Sequence, residues 1–390
     1  MTLSSIAFFV SSTEAPLHHA FTLSLVEGCR RRGVRCALYD LEESHRFGSY
    51  LEEIAQAPPD LLCTFQGLSP LPDGKFIWDY LKIPHLAILL DPAIYAQSYL
   101  RSPYSIIGCI DRHDVDFLGQ IGFHNAFFLP MGVDAALYGS PEADRPYDLV
   151  MLGSFFDYEE LRQRWPSRYS PQLCRLMDEA VEITLAHPEA YHIYVVAGLL
   201  ARDQVDLGDT LFYQLCYDVD RYFRGKDRVE LVRAMKGLHV HLFGGIARSG
   251  GKRGWDDFFQ SSSHLTIHGQ VSYAESLEVM KKSKICLNSA PFFKGGMHDR
   301  VTVGLALGTL PVSTDCPYMR ETFADGEEIL LYRSTDYSAI RERVEAHLGS
   351  HAERQAIVGR GQAKVLRDHT WDERAGLLLA TLPPILERMP

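Results

Sequence analysis

The sequence lacks several features that would place it in common non-enzymatic classes. No apolar run approaches the roughly 20 residues that a membrane-spanning helix needs. The segment MTLSSIAFFV is apolar without a basic segment before it, so we expect a buried first strand rather than a signal peptide. The sequence thus predicts a cytoplasmic protein with no integral membrane segment.

Cysteine pairs are also missing. The eight cysteines are scattered, with no Cys-x-x-Cys pair, and most lie beside apolar residues, which is typical of reduced core cysteines in a cytosolic protein. His264 and His268 are four residues apart on a predicted strand, a separation of roughly 13 Å that is too long for one zinc ion. We therefore predict no metal site.

Basic residues are fewer than acidic residues in this sequence. The 39 lysines and arginines are outnumbered by 50 aspartates and glutamates, which gives a net charge of −11. This balance argues against broad electrostatic binding of nucleic acid, although it permits a local basic pocket. A length of 390 residues with 46% apolar residues is typical of a soluble enzyme of two or three domains.

What the sequence does contain is a strand–helix alternation that begins twice. Short apolar runs and amphipathic stretches alternate in the first third, as in a parallel sheet covered by helices. The polar, proline-containing stretch 139–146 predicts a linker, and Tyr147–Leu152 starts the second alternation. We expect an α/β protein with two Rossmann-like domains (1–140 and 147–368) facing a cleft. A C-terminal helix in 369–390 either caps its own domain or crosses back to brace the first.

Within the second domain, the sequence predicts three helices and one strand before the later strands. Apolar periodicity predicts helices over Leu173–Ala186, Asp209–Arg224 and Arg228–Met235. A short apolar run predicts a strand over His192–Val196.

The densest functional pattern is Asn288-Ser-Ala-Pro-Phe-Phe-Lys-Gly-Gly-Met-His-Asp-Arg300, which reads as a strand end, a glycine-bearing loop and a helix start. Backbone amides at a helix N-terminus, together with an arginine, form a good pyrophosphate site. Asp299 equally suits a helix N-cap, and His298 equally suits a core histidine. Arg300 needs an anionic partner if it enters a buried helix.

Two glycine-containing turns are further candidates for phosphate contact. Gly153-Ser154 follows the first strand of the second domain and is either a close approach to phosphate or an ordinary strand–helix turn. The segment 244–254 is not a P-loop, because Gly251 stands where the lysine is required. Three basic residues of this segment are either donor contacts or a solvated charge run: Arg248, Lys252 and Arg253.

Candidate general bases lie in the first domain. His18 and His19 are predicted in the loop between the first strand and the first helix, and histidine titrates near neutrality, as a base requires. A capping or solvent-facing role is the alternative for both. Asp91 and Asp111 end predicted strands and are rival bases, although Asp91 before a proline also suits a turn.

A series of short motifs runs through the segment 267–332: G-x-V-x-Y, K-I-x-L-N, H-D-R, A-x-G-like (Ala306-Leu-Gly308) and G-E-E…Y. This series resembles the donor domain of GT-B-fold glycosyltransferases, in the family-1/family-4-like group that includes the spore-maturation CgeB-like proteins. Asp91-Pro92 and the run Leu129–Asp134 extend the resemblance loosely over the first domain. One position departs from it: Val303 stands where many relatives place a glutamate that contacts the donor ribose, a role that Glu321 or Glu328 would then have to supply.

The resemblance implies a metal-independent transferase of the hexosyltransferase type that uses no cofactor. Its donor would be a UDP-, GDP- or dTDP-sugar, and its acceptor a glycan, a protein or a small molecule, with the donor bound by the second domain and the acceptor by the first. The catalytic candidates are His18, His19 and Asp91. The donor-binding candidates are Gly153, Ser154, Gly244, Gly269, Asn288, His298, Asp299, Arg300, Thr302 and Glu328. A sugar-nucleotide epimerase and a non-catalytic nucleotide- or carbohydrate-binding protein are the alternatives.

Overall fold

The computed structural model describes residues 3–11, 16–140, 144–247, 251–260 and 262–390. The chain divides into two compact units, one formed by residues 1–136 and 366–390 and the other by residues 137–365. Residues 141–143 of the predicted linker lie outside the described residues.

Each unit is built on a six-stranded parallel sheet. The sequence predicted parallel sheets covered by helices. The strands of the first unit are β1 Ser5–Val10, β2 Arg35–Asp40, β3 Leu61–Phe65, β4 His85–Leu89, β5 Ser105–Cys109 and β6 Ala126–Phe128. Those of the second are β7 Tyr147–Leu152, β8 Val240–Phe243, β9 Leu265–His268, β10 Ser283–Asn288, β11 Leu310–Thr314 and β12 Leu330–Tyr332. The strand orders are β2-β1-β3-β4-β5-β6 and β12-β11-β10-β7-β8-β9. Since all pairs are parallel, the carboxyl ends of the strands in each sheet meet at one edge, where ligands bind in such folds.

Helices cover the sheets, and several begin at a cap that the sequence supplies. Ser170, Ser272 and Thr370 each accept a hydrogen bond from a backbone amide in the first turn of the helix that follows. The helices are α1 Pro16–Arg31, α2 Phe47–Gln56, α3 Ile77–Leu81, α4 Arg112–Gln120, α5 Tyr158–Arg164, α6 Pro171–Ala186, α7 His192–Arg202, α8 Asp209–Ala234, α9 Trp255–Phe258, α10 Tyr273–Lys281, α11 Asp299–Ala306, α12 Pro317–Thr322, α13 Tyr337–Gly349, α14 His351–Asp368 and α15 Trp371–Leu386.

The C-terminal helix α15 is part of the first unit and packs against α1. Gly28 allows the close approach, because a Cβ atom at this position would lie 2.9 Å from the Ala375 Cβ. The buried Trp371 ring lies against Phe21 and Phe65, with ring centroids 5.2 and 5.6 Å away. This helix therefore completes the apolar core of the first unit.

A buried histidine makes the first unit sensitive to acid. His85 is fully buried, and burial lowers its pKa to about 3. Its Nε2 lies 2.9 Å from Thr64 Oγ1, and Trp78 stacks on its ring at 3.7 Å.

Protonation of His85 is therefore expected to favour unfolding. The unfolded chain takes up this proton near pH 6.5 and the folded chain does not, so stability is complete above pH 6.5 and is lost as the pH falls towards 3, by ~1.4 kcal/mol per pH unit. Urea unfolding at pH 7 and pH 5 measures the loss, which we expect to be smaller in the His85→Phe variant. Equal losses in the two proteins would contradict the assignment.

Two secondary-structure predictions in the second unit are wrong. The segment His192–Val196 is the start of helix α7 and not a strand, because Ile193, Val196 and Leu200 bury one helical face, and this packing outweighs the β propensity of its residues. The two helices predicted over 209–235 are the single helix α8. Gly225 does not interrupt it; a Cβ there would lie 2.8 Å from the Phe156 carbonyl oxygen, so the glycine serves close packing.

In the described part of the chain, no helix combines the length and the apolar character that crossing a membrane requires.

Candidate functional site

The candidate site lies at the carboxyl edge of the second sheet. Gly153 and Ser154 follow β7, and Asn288 ends the neighbouring strand β10. Asn288 Nδ2 donates to Ser313 Oγ at 3.0 Å, and its Oδ1 lies 3.3 Å from Arg300 Nη1. The structure thus brings four of the residues that the sequence singled out, Gly153, Ser154, Asn288 and Arg300, to one edge of one sheet.

An arginine from helix α8 enters this edge. Arg228 is 8% exposed, and its Nη1 donates a hydrogen bond to the Ser154 carbonyl oxygen. Its guanidinium lies against Gly153, where a Cβ would be 3.2 Å from the Arg228 Cζ. The glycine therefore leaves room for the arginine. Burial, with the positive charges of Arg300 and Arg224, lowers the pKa of Arg228 to about 9.

Helix α11 begins at the same place, with His298 as its N-cap. His298 Nδ1 lies 3.3 Å from the Arg300 amide nitrogen and also contacts the Asp299 carboxylate. The prediction of Asp299 as the cap is therefore wrong, because the histidine ring already occupies the capping position and Asp299 is the first helical residue.

The ionisation of this His–Asp pair follows from its surroundings. Burial and the charge of Arg300 lower the pKa of His298. Burial works against the Asp299 carboxylate, but His298 and Arg300 outweigh it and hold its pKa below the usual value. At neutral pH the pair is a neutral imidazole beside a carboxylate.

A buried carboxylate organises the neighbouring loops. Asp227 is fully buried and accepts hydrogen bonds from Ser289 Oγ and Tyr332 OH at 2.6 Å, from Tyr337 OH at 2.8 Å and from Ser334 Oγ. These hydroxyl groups follow β10, end or follow β12, and begin α13. One side chain therefore holds together the ends of three elements that border the site.

Replacing this carboxylate is expected to loosen the site. In Asp227→Asn, one oxygen and one amide group replace two oxygens that accept four hydrogen bonds, so we expect a loss of about 2 kcal/mol of unfolding free energy. Tyr337→Phe removes one donor and should cost about 1 kcal/mol. Urea unfolding of both variants measures the two losses; an Asp227→Asn protein as stable as the wild type would contradict this organising role.

Sequence reasoning missed Arg224, Asp227 and Arg228. They could have been found from one pattern: α8 has charged residues among the apolar residues of its buried face. Charges at such positions are expected only when they are paired or functional. Splitting the helix at 224–228 hid this pattern, because the charged residues then seemed to lie at two helix ends.

Other predicted donor residues have different surroundings. Gly244 follows β8, and a Cβ there would lie 2.2 Å from the Gly153 carbonyl oxygen, so only glycine fits. Gly269 is exposed at the end of β9. Thr302 is fully buried, and its hydroxyl donates to the Asp299 carbonyl oxygen at 3.0 Å within the helix.

The structure does not place Glu328 at the site. This residue precedes β12 and so lies towards the amino end of the strand, whereas the site is at the carboxyl ends. Its Oε2 accepts a hydrogen bond from the Ala324 amide at 2.9 Å, which closes a local turn. Val303, which stands where a ribose-binding glutamate was expected, is buried in α11.

The basic residues of the segment 244–254 have separate roles. Arg253 pairs with the buried Asp157 and with Glu159, so its guanidinium is already occupied by carboxylates, although the side chain is 41% exposed. The Lys252 amide donates to Glu160 Oε2 at 2.9 Å. Arg248 lies outside the described residues.

In the first unit, His18 and His19 lie in the first turn of α1 and not in a loop, because the helix begins at Pro16, a residue favoured at a helix start. Burial lowers the pKa of His18, an effect that Asp91 opposes, so these two candidates are neighbours. Asp91 is exposed and accepts a hydrogen bond from Gln66 Nε2 at 2.8 Å. Asp111 is buried as the N-cap of α4, which is a structural role.

Among the residues that the structure describes, no group of three or more histidine, cysteine, aspartate or glutamate side chains is arranged to hold a metal ion.

Comparisons with solved structures place this fold. The chain is similar to HepE of Anabaena, solved with UDP and glucose (TM-score 0.54, 9% identity, covering 98% of this chain and 100% of that one). It is also similar to sucrose-phosphate synthase of Thermosynechococcus elongatus (0.54, 11%, 97% and 99%) and to AviGT4, a glycosyltransferase of avilamycin A biosynthesis (0.52, 14%, 98% and 98%). These likenesses establish the two-domain GT-B fold.

A family model supplies the class of protein. Residues 226–380 match Glyco_trans_1_2, described as glycosyl transferase-like. The protein is therefore a glycosyltransferase with the GT-B fold. The matched region includes Asp227, Arg228 and all of α11, and therefore most of the candidate site. A search of the curated proteins found no matching sequence.

Proposed function

We propose that the enzyme transfers a sugar from a nucleoside diphosphate sugar, with the diphosphate bound by Arg228, Arg300 and the amides at the start of α11. The observation that carries this proposal is the pair of arginines at the strand ends. Within the described residues, neither Arg228 nor Arg300 forms an ion pair, although Arg228 is buried and Arg300 contributes to the lowering of its pKa. A buried guanidinium and a half-buried one that interact with each other and form no ion pair with a described carboxylate favour a bound anion.

The same groups suit the chemistry of transfer. As the acceptor oxygen attacks the anomeric carbon, the bond to the diphosphate oxygen breaks and negative charge develops on the leaving group. Guanidinium groups and helix-terminal amides stabilise that charge without a metal ion. The acceptor proton passes to a base, for which His18, His19 and Asp91 are the candidates. His18 suits this role because its lowered pKa leaves the imidazole neutral and able to accept a proton.

The proposed donor is a sugar linked to a nucleoside diphosphate whose base has to be identified. HepE, which shares the fold, is described in complexes with UDP and with UDP-glucose. A UDP-sugar is therefore the first donor to test, followed by GDP- and dTDP-sugars. Because Val303 supplies no carboxylate, ribose recognition must come from a group other than the one expected at this position. The CgeB-like specificity and the cytoplasmic location stay predictions.

Thermal stability with a panel of UDP-, GDP- and dTDP-sugars tests the donor site. A ligand present at 100 times its Kd stabilises the folded state by about 2.7 kcal/mol, so a clear rise in Tm is expected with at least one nucleotide. Arg300→Ala should remove the rise, and Arg175→Ala, an exposed arginine on α6, should keep it. No rise with any nucleotide, or the same rise in Arg300→Ala, would refute the assignment.

A further inference from the structure

A second cationic cavity lies between helices α5 and α8 of the second unit. Its volume is about 330 Å³. Its polar lining consists of Arg164, Arg168, Gln214, Tyr217, Asp218 and Arg221. None of these residues was singled out by the sequence as part of the donor site.

The charges around this cavity do not balance. Arg164 pairs with Glu160, and Arg168 pairs with Asp218 at 3.0 Å. Arg221 forms no ion pair with any described residue. Each of the other two arginines has a carboxylate partner, so the cavity has one positive charge that the protein leaves without a counterion.

Arg221 is held in place by aromatic rings. Its Cζ lies 4.6 Å from the centroid of the Tyr217 ring and 5.2 Å from that of Phe156. Its Nε is buried and has no hydrogen-bond acceptor. Stacking on these rings fixes the plane of the guanidinium, and the Nη groups are the part of Arg221 that a cavity oxyanion would contact.

The cavity is close to the donor site. Arg228 Cζ lies 5.5 Å from the centroid of the same Phe156 ring, so the two guanidinium carbons are at most about 11 Å apart. Arg221 and Arg228 are seven residues apart on α8, which is about two helical turns and places them on the same face. The guanidinium groups of Arg221 and Arg228 therefore share one aromatic neighbour, Phe156.

We infer that this cavity binds a phosphate or carboxylate group carried by the acceptor substrate, with Arg221 as the principal contact and Arg164 and Arg168 beside it. The oxyanion receives charge-assisted hydrogen bonds from the guanidinium groups, while Gln214 offers an amide to neighbouring hydroxyl groups. Binding of the oxyanion needs no assumption about catalysis. The assignment to the acceptor rests on the proposed transfer function, and it departs from the expectation that the acceptor is bound by the first domain alone, because the cavity belongs to the second unit.

Titration calorimetry with inorganic phosphate tests the binding step. The starting protein is the variant Arg228→Met/Arg300→Ala, in which the donor site is disabled, and we expect one phosphate per chain. Adding Arg221→Met should weaken binding tenfold or more, adding Arg164→Met should weaken it less, and adding Arg175→Met should leave it unchanged. No phosphate binding, or binding that is insensitive to Arg221→Met in a folded protein with wild-type circular dichroism, overturns the site.

The source of the oxyanion is tested separately. If a sugar carries it, glucose 6-phosphate should bind to the same starting variant more tightly than inorganic phosphate, and the difference should vanish on Arg221→Met. Equal affinities would overturn the acceptor assignment. If the proposed donor site were wrong, nucleotide binding would be insensitive to Arg300→Ala, whereas the phosphate result would be unaffected, so the two failures are distinguishable.

Discussion

We expect Arg228→Met to weaken binding of the donor nucleotide by about 100-fold and to lower kcat/KM at least as much, because a hydrogen bond to a charged group is worth about 1.5–3 kcal/mol and this one is buried. The methionine side chain keeps most of the apolar stem and removes the guanidinium. Calorimetry with UDP, and kinetics once a donor and acceptor are known, measure the two effects.

Two features make this prediction specific. Arg228→Lys keeps a charge but loses the planar group that bonds to two oxygens at once, so its affinity should fall between those of the wild type and Arg228→Met. Without nucleotide, Arg228→Met should be at least as stable as the wild type, because burial and the neighbouring arginines disfavour the charge and lower the pKa of Arg228 to about 9. Nucleotide affinity unchanged in Arg228→Met would show that the diphosphate binds elsewhere.

The largest loss of stability is expected for Arg145→Ala, by about 4 kcal/mol, because removing a buried charged group leaves its partners unsatisfied. Arg145 is 5% exposed and joins the ends of two helices. Its Nη1 donates to the Lys281 carbonyl oxygen at the end of α10, and its Nη2 donates to the Leu307 carbonyl oxygen after α11, both at 2.8 Å.

Arg145 makes further hydrogen bonds that a smaller side chain could not make. Nη1 also reaches the Ser283 carbonyl oxygen at 3.0 Å and Thr309 Oγ1 at 2.8 Å, and Nη2 reaches the Ser140 carbonyl oxygen at 2.9 Å. Helix carboxyl ends attract positive charge, which adds to these bonds.

Arg145→Lys provides the comparison for this prediction. It keeps the charge with fewer fixed donors and should lose about half as much stability as Arg145→Ala. Guanidinium unfolding of the three proteins gives the values. A loss below about 0.5 kcal/mol for Arg145→Ala would contradict the role, since that is the range of ordinary surface substitutions.

Much of the architecture was predictable because it depends on patterns that repeat along the chain. Runs of buried apolar residues such as Leu61–Phe65 indicate parallel strands covered on both faces. Capping residues such as Ser272 mark where helices begin. The strand predicted at His192–Val196 was wrong because a five-residue apolar run has no distinctive period. Such a run fits either a strand or a buried helix, and only the elements that pack against it decide which one forms.

The candidate site divides in the same way. The segment from Asn288 to Arg300 was identifiable because its glycines, a helix start and its arginine are contiguous. It is part of the motif series over 267–332 that carries the glycosyltransferase resemblance. Glu328 was grouped with them by proximity in sequence, which does not tell which end of a strand a residue occupies, and it lies towards the amino end of β12.

The sequence by itself determined the class of fold, the two alternations of strand and helix, and the position of the helix start that borders the candidate donor site. Only the tertiary structure decided that Arg228 and Asp227 join that site and that Arg221 faces a separate cavity. The physical reason is that buried charges are placed by partners distant in sequence. Ser154 lies 74 residues from Arg228, and Tyr332 lies 105 residues from Asp227, so no local pattern connects them.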